Sequence, residues 1–199
     1  HLSPRLPVWY RARRMIASRR AAHRRASPRA NRELISGALA VASCLMGCAS
    51  SFDGNTYRGN GFVFEVPAAP ASWQRMNVSD AALTFEDAAS GATILVNGRC
   101  DRDGEDVPLR SLTQHLFIYF TDREIHEEKV VPFDGREAMR TDITAKLDGV
   151  PRRFVVWVMK KDKCVYDLTY IAAPEGFETG VAAFDTWATG FSARREGGE

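Results

Sequence analysis

REAMRTDITAKLDGVPRRFVVWVM, residues 136–159, decides the fold. In its first half Met139, Thr141, Ile143, Ala145 and Leu147 fall on one side of an extended chain. Arg140, Asp142, Thr144 and Lys146 fall on the other, the pattern of a half-buried antiparallel strand. Asp148-Gly149 then supplies a tight turn. Residues 154–159, FVVWVM, are apolar on both faces, so this strand is expected to be covered on both sides. Upstream, residues 125–133 join the first strand through Asp134-Gly135, a second tight-turn signal. Downstream, residues 160–163 turn the chain into CVYDLTYIAA, residues 164–173, where Tyr166, Leu168 and Tyr170 share a face. A four-strand meander follows from these periodicities.

Two helices flank it. Pro108 suits a first helical turn, and Leu109, Leu112, Leu116, Phe117 and Phe120 recur at helical spacing. Pro174 opens the second, with Phe177, Val181, Phe184, Trp187 and Phe191 as its apolar stripe. Before the first helix come strand candidates at residues 61–67 and 73–76, then a hairpin of 82–87 and 92–97. The predicted class is α+β: an α/β/α sandwich, its central mostly antiparallel sheet covered by helices on both faces.

The amino-terminal region has a different composition. Residues 1–47 hold ten arginines and one glutamate, a net +9. Within them residues 34–47, LISGALAVASCLMG, carry no charge. A basic segment, a short apolar run and small residues at its end describe an export signal. Fourteen residues fall short of the ~20 a membrane span needs. Residues 1–14 read as an over-extended start, with Met15 opening a shorter leader. The end of the run resembles the lipobox of bacterial lipoproteins: Leu45, Gly47 and Cys48 occupy its −3, −1 and +1 places. That resemblance implies that the Cys48 sulfur takes a diacylglyceryl group and that cleavage precedes it. Val41-Ala42-Ser43-Cys44 is an alternative lipobox. A cleaved, soluble product is the remaining reading. Ala49, where an aspartate would favour inner-membrane retention, points to the outer membrane over the inner by analogy with lipoprotein sorting.

The expected organisation is therefore a leader at 1–47, a Ser/Gly/Asn-rich flexible tether at 48–60, one domain at 61–192 and a polar tail at 193–199. Residues 48–199 hold 17 Lys+Arg against 24 Asp+Glu, a net −7. An acidic body of this kind argues against nucleic acid as a partner. It offers no net attraction to anionic headgroups, so the acyl chains would do the anchoring. Beyond Cys48, Cys100 and Cys164 remain; in an oxidising compartment such a pair is expected to be bridged, with two separate buried thiols as the alternative.

Catalytic constellations are fragmentary. Ser111 and His115 form an i, i+4 pair without an orienting carboxylate. His126-Glu127-Glu128 lies on a strand, where neighbours point to opposite faces. Asp101, Asp103 and Asp106 are a weak calcium candidate, because Leu112 stands where a calcium loop needs its bidentate glutamate. Arg152-Arg153 and Lys160, Lys161 and Lys163 flank one strand and read as a solvated edge that discourages sheet aggregation. No enzyme activity, cofactor or metal is expected.

Phe62-x-Phe64-x-Val66-Pro67 with Trp73 nearby, the helix at 109–120 and Phe133-Asp134-Gly135-Arg136-Glu137-Ala138 together resemble the PsbP-like (Mog/PsbP) superfamily. The meander ending Tyr166-x-Leu168-x-Tyr170, and Phe184 and Phe191 in the last helix, extend the resemblance over about residues 57–192. The superfamily includes photosystem assembly proteins, a Ran-binding protein and bacterial surface lipoproteins, and has no shared catalytic residues. The resemblance implies a binding or assembly role. The expected function is a membrane-anchored envelope lipoprotein that holds a protein partner. The alternative is an envelope small-ligand carrier or enzyme, whose mark would be a pocket of ~300 Å³ or more between helix and sheet with convergent polar groups.

Overall fold

Alternation and turn chemistry build most of the molecule. The computed structural model describes residues 50–59, 61–79, 81–100 and 107–196. The chain runs β1 (Ser51–Phe52), β2 (Thr56–Gly59), β3 (Phe62–Glu65), β4 (Trp73–Met76), β5 (Leu83–Asp87) and β6 (Ala92–Cys100). Helix α1 (Leu109–Leu116) leads to β7 (Thr121–Phe133), β8 (Arg136–Leu147), β9 (Val150–Lys161) and β10 (Cys164–Ala172). A 3-10 turn (Pro174–Gly176), helix α2 (Phe177–Ala188) and β11 (Ser192–Arg195) finish it. One sheet has seven antiparallel strands in the order β4-β5-β6-β10-β9-β8-β7; the other has four, β1-β2-β3-β11.

The meander is β7 to β10. Its three hairpins share one turn geometry, with positive φ at both central residues: Asp134-Gly135 (46°, 70°), Asp148-Gly149 (51°, 76°) and Asp162-Lys163 (52°, 62°). That is the two-residue turn whose twist matches the flanking strands. Residues 154–159 of β9 are all buried, as their two-faced apolarity requires.

The expected helix-covered sandwich is not what forms. On one face of the large sheet α2 shares the cover with the four-stranded sheet. Tyr170 meets Phe177 and Phe184 of α2 at 5.6 and 5.5 Å between ring centres. Tyr166 meets Phe62 of β3 at 5.7 Å. On the opposite face α1, eight residues long, is the one helix among the described residues. The Phe117 and Phe120 rings that follow it stand edge-on to Phe154 at 5.5 and 5.0 Å. Sheet thus outweighs helix. The misreading arose at the chain ends: residues 51–59, expected as tether, pair as β1 and β2, and residues 193–195, expected as tail, belong to β11. Phe52 and Tyr57 are the large apolar side chains in the first stretch, and Ala193 the inward one in the last, so periodicity there was too short to read.

Cys100 and Cys164 are directly paired neighbours on β6 and β10 and are bridged. Closing a loop with a sequence separation of 64 contributes up to about 4 kcal/mol in the chain-entropy model.

Ion pairs fasten α2 to the sheet. Arg140 on β8 donates from Nε and Nη2 to Asp185 at 3.1 and 2.6 Å, and from Nη1 to Glu127 at 2.7 Å. Trp157 Nε1 donates to the same Asp185 at 2.9 Å. Arg153 grips Asp142 through two bonds of 3.0 and 2.9 Å, reaches Glu178 at 2.9 Å and lies 4.0 Å over the Phe177 ring. The arginine pair 152–153 therefore does not sit on a sheet edge: β9 is an inner strand. The edge is guarded instead on β7, by Asp122, Glu124, Glu127, Glu128, Lys129, Pro132 and two register shifts.

Asp185→Ala leaves Arg140 and Trp157 Nε1 facing each other without their shared acceptor. Denaturant unfolding should show a loss of about 2–3 kcal/mol, while Asp185→Asn should lose less. Lys163 holds a left-handed conformation that glycine adopts without cost. Lys163→Gly should raise stability by about 1 kcal/mol in the same assay.

Candidate functional site

One end of the large sheet gathers four cations, Arg136 and Lys163 exposed and Lys160 and Lys161 half-buried. Lys160, Lys161 and Lys163 come there with the turn between β9 and β10, which the strand register sets beside the Asp134-Gly135 turn. They sit at the tip of a central hairpin rather than along a solvated edge, which corrects the aggregation-guard reading of these lysines. Arg136 arrives from the neighbouring tip, at the start of β8. A 330 Å³ hollow is lined by Arg136 and residues 160–165. A second, of 520 Å³, is lined by Leu109, Gly135, Arg136, Glu137 and Lys160. The two share Arg136 and Lys160.

Hydrogen bonds set this end in place. Lys160 Nζ donates to Val107 O at 2.8 Å, pinning the entry to α1. Lys161 Nζ donates to Asp134 at 2.8 Å. Asp134 also accepts from Ser192 Oγ at 3.0 Å and Ala193 N at 2.8 Å. One carboxylate thus joins the two hairpin tips to β11. Nearby, the Tyr166 ring is fully buried against Phe62 and Phe191. Its hydroxyl has no hydrogen-bond partner among the described residues. Burial pushes its pKa up to about 12, with Asp162 and Asp134 adding to the effect.

The hollows exceed the size of a minimal ligand site and polar groups converge on them. They lie at the rim of the sheet, walled by turns and charged side chains rather than by the apolar lining that encloses most small ligands. A third hollow, of 350 Å³, lies between residues 50–51 and the segment 75–82.

The other residues singled out from sequence do not converge. Ser111 and His115 are exposed on α1. His126 Nε2 lies 2.6 Å from Thr144 Oγ1. Glu127 binds Arg140 and Lys129, and Glu128 binds Arg110. Cys44, Cys48, Asp101, Asp103 and Asp106 lie outside the described residues.

Two features escaped sequence reading. Gly98, in mid-strand, leaves the space that the Phe62 ring occupies: a Cβ there would come within 2.7 Å of the ring. Asp167, 4% exposed on β10, accepts from Asn97 Nδ2 at 3.1 Å and lies 3.6 Å from Arg99. An acid between Val165 and Ile171 on a strand flanked by apolar residues was the available signal. Burial pushes the Asp167 carboxyl above its ordinary range, and Arg99 and Asn97 pull the other way. A carboxyl raised by folding costs stability when ionised and recovers it as pH falls through the raised value. Asp167→Asn should therefore be more stable than the parent at neutral pH, with the difference shrinking as thermal unfolding is followed into the acid range.

No protein-family model matches the sequence, and no curated protein matches it. Solved structures do share its shape. LpqN of Mycobacterium tuberculosis, described as involved in cell envelope biogenesis, superposes with a TM-score of 0.51 at 12% identity over 73% of this chain and 89% of its own. The cyanobacterial PsbP (CyanoP) of Synechocystis gives 0.45 at 13% identity over 75% and 99%. A Bacteroides thetaiotaomicron protein gives 0.49 at 12% identity over 74% and 51%. At these identities the likeness to LpqN is one of fold, and the two scores below 0.5 carry nothing further.

Proposed function

We propose that this chain is a bacterial envelope lipoprotein, anchored through acylated Cys48, whose folded domain binds or stabilises a protein partner rather than turning over a substrate. The observation that carries the binding role is the surface of the α1 face. Ile125 and Val130 lie on that side of edge strand β7, 51% and 50% exposed, and Ile118 just after α1 is 57% exposed. Apolar side chains left in water on an otherwise charged edge suit a protein contact. The fold shared with LpqN agrees with an envelope setting. No helix among the described residues is long and apolar enough to cross a membrane, so acyl chains supply the anchor in this reading. Placement in the outer membrane is part of the same proposal.

A second reading rests on the two hollows that share Arg136 and Lys160: carriage of a small anionic ligand. Calorimetric titration with inorganic phosphate addresses it, and the absence of heat would remove it.

For the first reading, mass spectrometry of the protein from fractionated membranes should find the diacylglyceryl mass on Cys48 in the outer-membrane fraction. Crosslinking in the same membranes should capture one reproducible protein, and Ile125→Ser with Val130→Ser should release it. Unmodified thiols on both Cys44 and Cys48 would remove the anchor. Unchanged capture by the double variant would remove the binding surface.

A further inference from the structure

Most of the stretch read from sequence as a spacer is folded. Residues 51–52 and 56–59 form β1 and β2, so the first strand begins three residues after Cys48. A chain spans at most about 3.6 Å per residue, which holds the Cα of Cys48 within about 7 Å of that of Ser50. Ser50 is itself fixed against the domain. Its Cβ lies 2.8 Å from where a Cβ on Gly59 would stand, and Gly59 accommodates it by having none.

The position of Ser50 relative to the sheet follows from a chain of contacts. Gly59 sits at the end of β2, beside the turn into β3. In that turn Gly61 O accepts from Glu196 N at 2.9 Å and lies 3.9 Å from Cys100 Sγ. Cys100 is bridged to Cys164, the residue after Lys163. Ser50 and Ser51 also border the 350 Å³ hollow with Asn77 and Val78, beyond the end of β4. Ser50, the disulfide and the tips at 134–135 and 162–163 therefore occupy one end of the large sheet. The turns at 88–91 and 148–149 occupy the other.

We propose that the disulfide-bearing end of the domain rests on the lipid headgroup layer, with the 162–163 tip among the headgroups and the 148–149 tip pointing away. This rests on the acylated-Cys48 reading. Among the described residues this end carries both signs, with Arg136, Lys160, Lys161 and Lys163 beside Asp134, Asp162 and Glu137. The short covalent reach, rather than net charge, sets the orientation. A domain of net −7 that is seated this closely cannot swing freely above the bilayer, as a tethered one would.

The test uses the mature acylated protein in vesicles of phosphatidylethanolamine and phosphatidylglycerol. Amines are labelled with a membrane-impermeant ester and each lysine is followed by mass spectrometry. A variant with about twenty Gly/Ser residues inserted between Ala49 and Ser50 serves as the lifted reference. Lys163 should label about fivefold more slowly in the parent than in the lifted variant, while Lys146, at the far end, changes less than about twofold. Both proteins should label alike once dissolved in detergent. Equal labelling of Lys163 in parent and variant, or slowing of Lys146 instead, overturns the seating. The same digests report the mass of the amino-terminal peptide. An unacylated Cys48 overturns the lipoprotein reading and this one with it; an acylated Cys48 with unprotected Lys163 overturns this one alone.

Discussion

The ring of Phe62 enters a space that exists because residue 98 has no side chain. This contact seats the four-stranded sheet on the seven-stranded one. A Cβ at position 98 would stand 2.7 Å from the ring, well inside van der Waals contact, and β3 would have to lift. From Phe62 the aromatic packing spreads through Tyr57, Phe64, Tyr166 and Phe191. Phe133 and Trp157 continue it toward β7 and β9. Rings of this size contribute most of the apolar area available to a domain of modest length.

Two polar devices hold the same arrangement from its edges. Asp134 gathers β11 and Lys161 at one end of the sheet. Asp185 gathers Arg140 and Trp157 at the junction with α2. In both, one carboxylate accepts from donors on two or more elements, so its removal would strand several groups at once. Many of the acids and arginines that a search for an active site would collect are committed to these fastenings. Asp167 stands apart as a buried acid with a costly ionised form.

The meander from β7 to β10 was legible because its strands are long, its alternation is clean and Asp-Gly marks two of its three turns. The third turn, Asp162-Lys163, has the same backbone without the glycine. The turn was placed from sequence all the same; its lysines were read as a solvated edge because local pattern does not say where a hairpin lies within a sheet. Of the small sheet β3 was legible, as the alternating run 61–67, but its partners were not: β1 is two residues long and β2 and β11 four each, too short for a period to emerge. The pairing of β3 with β11 joins residues some 130 apart, a relation that local pattern does not encode. Gly98 could be read as a bulge or a close approach, but its partner is apparent once the strands are placed. For the candidate site, the cations of the 160–163 segment were visible in the sequence. Their meeting with Arg136 was not, because it depends on which hairpin tips lie side by side.

The pairing of Phe62 with Arg195 also has a consequence in time. A chain synthesised from its amino terminus delivers β1, β2 and β3 well before their last partner, β11. The hairpins between can zip as they emerge, since each closes on a neighbour in sequence. Until β11 arrives, one edge of β3 stays unpaired. The molecule is completed by joining its beginning to its end, and a chain cut short before Ser192 would keep its longest sheet while leaving Phe62, Phe64 and Tyr57 without their closing strand.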